Sequence, residues 1–459
     1  MAVGAGAAVG SVAPPIGRVL GGGPTCRGDE MPLAANSGTH GSTPGWQHAM
    51  PGIASRAQPS PRSNLKSWNT TAAIRYPRLA RSLDVEIAIV GAGITGLTTA
   101  LQLSRAGRSV VVLDRQTVGA GATGDSTGHL TACLDVSYQI LVGQFGEGDA
   151  RLAAQSSMAA IDFIERTVSE LGVACDFARV PGFRFCQNSA TAQRLEREAR
   201  LTQSLGLATT FESTIPLPLP VEGALRFADQ AQFDAPRYCQ ALALELDGAV
   251  YGDTPVESVT DGEPCTLRAA GHLVTAKTLV MATHEPQWGP PTLLQKLTGH
   301  LSYTLAFGLR AGTFPDGLFW DMDDPYHYIR PVRDKDRDLL LIGGADQPTH
   351  GATASNVRFR KLEEYARRHF ELGEVVYRGS GEYFDAVDNL PYIGWLPGAP
   401  HMLVGTGYAG TGLTFGTVAG LLLADLVLGH ANDWEHLYRP TRPAISPVAR
   451  AAAARKGGR

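Results

Sequence analysis

Val85-Glu86-Ile87-Ala88-Ile89-Val90 runs directly into Gly91-Ala92-Gly93-Ile94-Thr95-Gly96. A short apolar, β-branched run ahead of a glycine turn predicts a buried strand. Leu97, Leu101 and Leu103 then supply the apolar contacts of a helix, and Gly107 is placed to end it. Ser109-Val110-Val111-Val112-Leu113 predicts a second buried strand, closing on Asp114. Together these make a β-α-β unit of about 30 residues. Gly91 permits the tight turn, Gly93 lets a pyrophosphate approach the backbone, and Gly96 lets helix and strand pack closely. The helix N-terminus offers free N–H groups and partial positive charge to phosphates. Asp114, 18 residues after Gly96, is placed to accept hydrogen bonds from an adenosine ribose, and its charge would repel a 2′-phosphate. A GxGxxG alone is weak evidence. Strand, helix and acid around it predict a dinucleotide site.

Two further glycine-rich segments separate a simple NAD site from a longer cofactor. One is Gly119-Ala120-Gly121-Ala122-Thr123-Gly124-Asp125-Ser126-Thr127-Gly128-His129-Leu130-Thr131. The other is Gly405-Thr406-Gly407-Tyr408-Ala409-Gly410-Thr411-Gly412-Leu413-Thr414-Phe415-Gly416, again passing from a strand into a helix. An extended two-part cofactor such as FAD needs distant segments of this kind. The helix from Thr411 to Gly429 is apolar enough to raise a membrane reading. Asp425 interrupts it and its start carries the glycines, so a buried core helix is expected and no membrane span.

Helices are predicted at 148–171, 191–204 and around 355–369, and strand-like segments at 179–187, 299–310, 317–331 and 338–343. Strands segregated from the β-α-β unit predict a separate antiparallel sheet. Lys277–Thr283 and His401–Gly405 look like parallel strands returning to the first sheet. The expected fold is therefore α/β: a Rossmann-type part (84–165 with 235–290 and 385–432) interleaved with a smaller α+β substrate part (170–230 with 295–382). From about Glu435 the pattern fades into a basic tail, 435–459.

The 459 residues are too many for one ordinary core, and a net charge of -4 gives no broad basic field for nucleic acid. Residues 1–80 hold two acids against seven bases, and residues 1–65 are rich in Gly, Ala, Ser and Pro. We read 1–65 as a disordered tail; a targeting segment or an upstream start codon are the other readings. The six cysteines are scattered, with no CxxC or CxH spacing. That argues against a redox dithiol, a zinc site or an iron–sulfur site, and fits a reducing, cytoplasmic setting.

These motifs resemble the D-amino-acid oxidase-like superfamily of FAD-dependent oxidoreductases, which includes glycine and sarcosine oxidases, over about 84–430. More narrowly, Thr127-Gly128-His129-Leu130-Thr131, Asp324-Pro325-Tyr326-His327-Tyr328-Ile329-Arg330, Asp388-Asn389-Leu390-Pro391-Tyr392-Ile393-Gly394 and Ser67-Trp68-Asn69-Thr70-Thr71 resemble the branch often carrying a C-terminal Rieske domain. The last also looks like γ-glutamylputrescine oxidases. The CxH…CxxH ligand pattern of a Rieske domain is absent. The resemblance implies that Gly91, Gly93, Ile94, Thr95, Gly96, Asp114 and Arg115 hold the ADP half of FAD. It places Thr123, Gly124, Gly128, His129 and Leu130 beside the pyrophosphate and flavin, and the Val256 backbone on the adenine. Ala282 and Thr283 match a turn under the cofactor, with His284 in place of the usual glycine. Gly407, Gly410, Thr411, Gly412, Leu413 and Thr414 would meet the flavin carbonyls.

The superfamily takes hydride from a C–H beside an amine onto flavin N5, so little side-chain acid–base help is needed. On a strand, Tyr326, Tyr328 and Arg330 share one face. Arg330 there would clamp a substrate carboxylate while the tyrosines wall the site; equally, the face would pack at an interface with Arg330 in an ion pair or in solvent. His129 and Tyr408 are further candidates, the first for the flavin or simple packing, the second for substrate. The leading expectation is an FAD-dependent oxidase or dehydrogenase of a small amine or amino-acid-like substrate, with oxygen or a redox protein as electron acceptor. The alternative is a flavoprotein electron-transfer or assembly subunit without turnover of its own. A pyridine-nucleotide disulfide reductase is disfavoured by the missing CxxC.

Overall fold

The computed structural model describes residues 74–333, 337–349 and 355–443. The expected N-terminal tail, the Ser67–Thr71 motif and the last residues of the basic tail lie outside them.

Leu83–Val90 is the central strand of the first sheet, because Ile87, Ala88, Ile89 and Val90 are apolar on both faces and are buried on both. Val110–Leu113 pairs with it in parallel on one side and His272–Met281 on the other. The order is Tyr392–Leu396, Ala399–Thr406, His272–Met281, Leu83–Val90, Val110–Leu113, Val250–Tyr251. His272–Met281 has two partners along its length. Its first half takes Cys265–Ala269 antiparallel, and its second half takes Ala399–Thr406 in parallel, Val280 opposite Leu403. Both predicted returning strands are thus in the first sheet.

The helices Ile94–Arg105 and Gly412–Leu428 cross in close contact. Small residues allow it: a Cβ on Gly420 would lie 2.5 Å from Thr98 Cβ, and one on Gly416 2.7 Å from Ile94 Cγ2. The second helix is long and apolar enough to cross a membrane, yet 67% of its apolar window is buried in the fold. It is a core helix.

The second sheet runs Val375–Ala386, Leu297–Leu309, Asp338–Pro348, His327–Val332, Leu318–Asp321, Ala178–Cys186, Gly223–Gln232, His129–Leu130. It is antiparallel except where Leu318–Asp321 lies parallel to Ala178–Cys186, Leu318 opposite Gly182. Tyr303, Leu305, Phe307, Phe319, Ile329 and Ile342 form its apolar face, covered by Leu362 and Tyr365 of the helix Ser355–His369. His327 is on that face, stacked on Tyr365 at 3.5 Å with Nδ1 2.8 Å from Asp321 Oδ2.

Three expectations are corrected. The strand predicted at 317–331 is two strands: the Asp321 carboxylate takes the His327 N–H at 2.7 Å, tying off a loop that holds Pro325, which has no N–H for a ladder. The strand at 338–343 continues to Pro348. The chain does not lose order at Glu435: Glu435–Tyr438 is a short helix, Leu437 and Tyr438 are buried, and Arg442 is 5% exposed. Arg442 makes two hydrogen bonds to the fully buried Asp388, at 2.7 and 2.6 Å, and sits 3.9 Å over the Tyr392 ring. Two isolated basic residues in a polar stretch carry no periodicity that would announce this.

Candidate functional site

The glycine turn closes because two glycines are in contact with backbone. Gly91 has φ +110, and a Cβ there would lie 2.3 Å from the Ala282 carbonyl oxygen; one on Gly96 would lie 2.0 Å from the Gly91 oxygen. Asp114, at the end of Val110–Leu113, receives the N–H groups of Ala92 on Oδ2 at 2.7 Å and of Gln116 on Oδ1 at 2.8 Å. Burial pushes its carboxyl above the usual range, and these two amides oppose that shift. Each oxygen keeps a lone pair for a ribose hydroxyl. Arg115 is exposed beside it. The Thr254 N–H donates to the Asp114 carbonyl at 2.7 Å, and Val256 opens the strand Val256–Thr260 just beyond.

Three hydrogen bonds knit the three glycine segments together. Ile94 N–H donates to Thr123 Oγ1 at 3.2 Å, on the one-turn helix Ala122–Asp125 that also holds Gly124. Thr95 Oγ1 donates to the Tyr408 hydroxyl at 3.2 Å. Thr131 N–H donates to Thr414 Oγ1 at 3.0 Å. Gly407, Thr411 and Leu413 are buried, whereas Gly410 is exposed and Gly412 half-buried. Two helix starts, Ile94 and Gly412, therefore lie in one region with the strand His129–Leu130. These residues fit FAD: a Cβ-free turn for a pyrophosphate, a carboxylate for the ribose and a second helix end for developing negative charge.

Ala282 receives its structural role through its N–H, which donates to Val90 O at 2.8 Å, and Thr283 Oγ1 donates to Glu285 O at 2.6 Å. His284 has φ +67, the left-handed region, which explains why a glycine would be at home there. Its ring meets Phe384 edge-on at 4.9 Å, and burial lowers its pKa to about 4. His129 Nδ1 lies 2.9 Å from Thr127 Oγ1 and its Nε2 is buried without a partner. Burial, reinforced by the charge of Arg330, holds this imidazole well below its ordinary pKa, so it is neutral.

The second sheet turns its polar face toward these segments. Tyr328 shares that face with Tyr326 and Arg330 as the alternation predicts. Its ring lies flat over Gly343, where a Cβ would come within 2.0 Å of it. Its hydroxyl is 3.1 Å from Ser302 Oγ and 3.0 Å from Thr304 Oγ1. Tyr326 and Tyr383 both donate to Asp346 Oδ2, each at 2.8 Å. His300 stacks on Tyr383 at 5.4 Å with Nδ1 3.2 Å from Asp385 Oδ2. Asp135 faces this group from the cofactor side, taking the Gly410 N–H on Oδ2 at 2.6 Å. Asp385 is bridged to Tyr408 through the backbone.

Two sequence expectations change in detail. Arg330 is 3% exposed and turned away from the tyrosines: Nη1 donates to Gly128 O at 3.4 Å and Gln232 Oε1 at 3.3 Å, and its Nε has no partner. Burial lowers its pKa to about 10, opposed by the charges of Asp234 and Asp176. It is neither solvated nor in a salt bridge among the described residues, and it underlies Gly128, just ahead of the strand His129–Leu130. The Tyr408 hydroxyl is committed to Thr95, so its polar end faces the dinucleotide helix and not the tyrosine group. Sequence reading missed His300, Ser302, Thr304, Asp346, Tyr383, Asp385 and Asp135. The first three were findable: they alternate with Tyr303, Leu305 and Phe307 in a predicted strand, a polar stripe opposite an apolar one.

A Rossmann-type sheet with a Cβ-free turn, a carboxylate at the end of its second strand and a second glycine-rich helix start, set against the polar face of an antiparallel sheet, is the arrangement of an FAD oxidoreductase. The chain belongs to the family described as DAO, FAD dependent oxidoreductase, whose match covers residues 86–426. It is similar to the Rieske 2Fe-2S iron-sulfur protein YhfW of Bacillus subtilis (strain 168), 27% identical over 387 residues covering 83% of this chain and 76% of the relative. It is also similar to the gamma-glutamylputrescine oxidoreductase of Escherichia coli (strain K12), 25% identical over 78% of this chain and 87% of the relative. Its fold matches that of glycine oxidase from Geobacillus kaustophilus with a TM-score of 0.68, at 20% identity, over 79% of this chain and 99% of that one.

Proposed function

We propose that this enzyme oxidises the C–H bond next to the nitrogen of a small amine or amino-acid-like molecule, with oxygen or a redox protein as the electron acceptor. Bound FAD supplies the hydride acceptor, its N5. The carrying observation is that the polar face of the second sheet meets the Gly410–Thr414 helix start: Asp385 is bridged to Tyr408 through the backbone, and Asp135, near the Asp346 that holds Tyr326 and Tyr383, takes the Gly410 N–H. The tyrosines wall the substrate and hold it against the cofactor side, which converts encounter into a fixed geometry. The Gly412 helix start faces the place where negative charge develops on reduction. The division into an FAD-binding part (84–165, 235–290, 385–432) and a substrate part (170–230, 295–382) supports this reading. So do the five described cysteines, all buried and free, which suit a cytoplasmic enzyme.

The similarity to a Rieske-named protein keeps a second reading in view, a flavoprotein that only relays electrons. One experiment separates them. The yellow protein is mixed anaerobically with amines, N-methyl amino acids and D-amino acids, and the flavin absorbance is followed. Bleaching by a member of the panel supports oxidation; bleaching only by a reduced protein donor supports the relay.

A further inference from the structure

Arg330 and Arg442 are both buried, and they are held differently. Arg442 has a carboxylate, Asp388, at 2.6 and 2.7 Å. Arg330 has none: Nη1 reaches the Gly128 carbonyl at 3.4 Å and Gln232 Oε1 at 3.3 Å, and Nε is without a partner. The acids whose charge is felt there, Asp234 and Asp176, both bind Arg237. Asp234 Oδ2 lies 3.2 Å from Arg237 Nε, and Asp176 Oδ2 lies 3.0 Å from Arg237 Nη1. The neighbouring His129 imidazole is neutral, so the charge beside Gly128 is the guanidinium's alone. Burying a charge without a paired opposite charge is strongly unfavourable.

Holding the chain at Gly128 does not require that charge. Gly128 has φ +76, and its carbonyl already takes the Phe233 N–H at 3.2 Å. Backbone contact closes the turn further, since a Cβ there would lie 2.2 Å from Phe233 O. A long bond from Nη1 adds little to this. What the arginine brings is a fixed positive charge packed on Gly128, its Cζ 3.4 Å from the place a Cβ would take. Gly128 leads into His129–Leu130, and Thr131 just beyond donates its N–H to Thr414 in the second glycine-rich helix. The charge therefore backs the segment that joins the helix start where negative charge is expected to develop.

We propose that Arg330 sets the electron affinity of the flavin, its unpaired charge favouring the cofactor once it has accepted hydride. This deepens the oxidation reading and rests on its placement of the cofactor. Hydride leaves the C–H beside nitrogen with both bonding electrons and arrives at N5. The substrate thereby gains one positive charge, as an iminium ion, and the flavin one negative charge. A cation already fixed in a buried, water-poor setting stabilises that negative charge without reorganising. Arg330 is thus a positioning residue for charge and not a clamp on the substrate.

The test is the midpoint potential of the flavin, read by titrating the FAD-loaded protein with dithionite against a reference dye, with no substrate present. Three variants separate charge from shape. R330Q removes the charge and keeps an amide donor. R330K keeps the charge and loses the planar fork. Q232E leaves the arginine in place and sets a carboxylate where Gln232 Oε1 already meets Nη1. R330Q and Q232E are each expected to weaken the preference for reduced over oxidised flavin by about tenfold or more. That is a potential lower by about 30 mV for a two-electron couple. FAD content is expected to be unchanged, and R330K to fall less than either. An unchanged potential in FAD-loaded Q232E, or R330K falling as far as R330Q, overturns the proposal. Should R330Q fail to fold or to hold FAD, Q232E decides. Lowered potentials in a protein that no amine bleaches would keep this role for Arg330 and remove the oxidation reading. Bleaching by an amine with unchanged potentials would do the reverse.

Discussion

Asp385 is held by its neighbours in a way that makes it sensitive to pH. Burial first, then the charges of Asp135 and Asp346, raise its carboxyl to about 6, with His300 pulling the other way. A carboxyl whose folded pKa is raised contributes stability that is complete below its unfolded value and is lost as pH rises through the folded value. The window therefore runs from about pH 4 to about pH 6. D385N, which cannot ionise, is expected to melt above the wild type at about pH 8 and level with it at about pH 4, and thermal unfolding at both pH values checks this. The side chain is 41% exposed, so the difference is small. At Asp114 the expectation concerns the cofactor. D114A removes a charged acceptor from the ribose and the anchor of the Ala92 and Gln116 amides, and FAD affinity by equilibrium dialysis should fall by about tenfold to a hundredfold. The acid was legible because a single contiguous unit spells out its place. Asp346 and Asp385 were not, since each gains its meaning only from residues far away in sequence.

The two crossing helices carry the cofactor site as elements, and the contact between them is made of small residues. A valine at Gly420 would drive its side chain into Thr98, whose Cβ lies 2.5 Å from the added Cβ. The expected loss is about 1–3 kcal/mol, read from urea unfolding, together with weaker FAD binding because both helix starts shift. Unchanged stability and FAD affinity in G420V would contradict this packing. The helices themselves were legible from apolar spacing and terminating glycines. Strands were legible where apolar and polar residues alternate, as in Leu297–Leu309. Val375–Ala386 was hidden: its residues are half-buried for almost the whole length and include two glycines, so no stripe stands out. Gly223–Gln232 was hidden by its mixture of small and polar residues.

At the scale of the molecule, two sheets from interleaved stretches of chain meet at the candidate site, and the chain's last described residues lock one edge. Arg442 is buried against Asp388 and the carbonyls of Leu390, Pro391 and Tyr438. Removing one partner of a buried pair leaves an uncompensated charge, so R442M should cost about 3–5 kcal/mol in unfolding free energy, far beyond an exposed substitution. A loss below about 1 kcal/mol would show that this segment is not part of the core. The interleaving also explains why the fold class was legible and the polar face of the second sheet was not. Local pattern defines each layer, whereas the candidate site exists only after the layers meet.

The oxidation itself is tested most directly by stopped-flow mixing of the FAD-loaded protein, without oxygen, with an amine that bleaches it and with the same amine deuterated on the carbon beside nitrogen. Breakage of that C–H bond onto the flavin predicts bleaching by both, several-fold slower for the deuterated amine. Flavin that stays oxidised with every amine, although dithionite reduces it, would contradict the assignment.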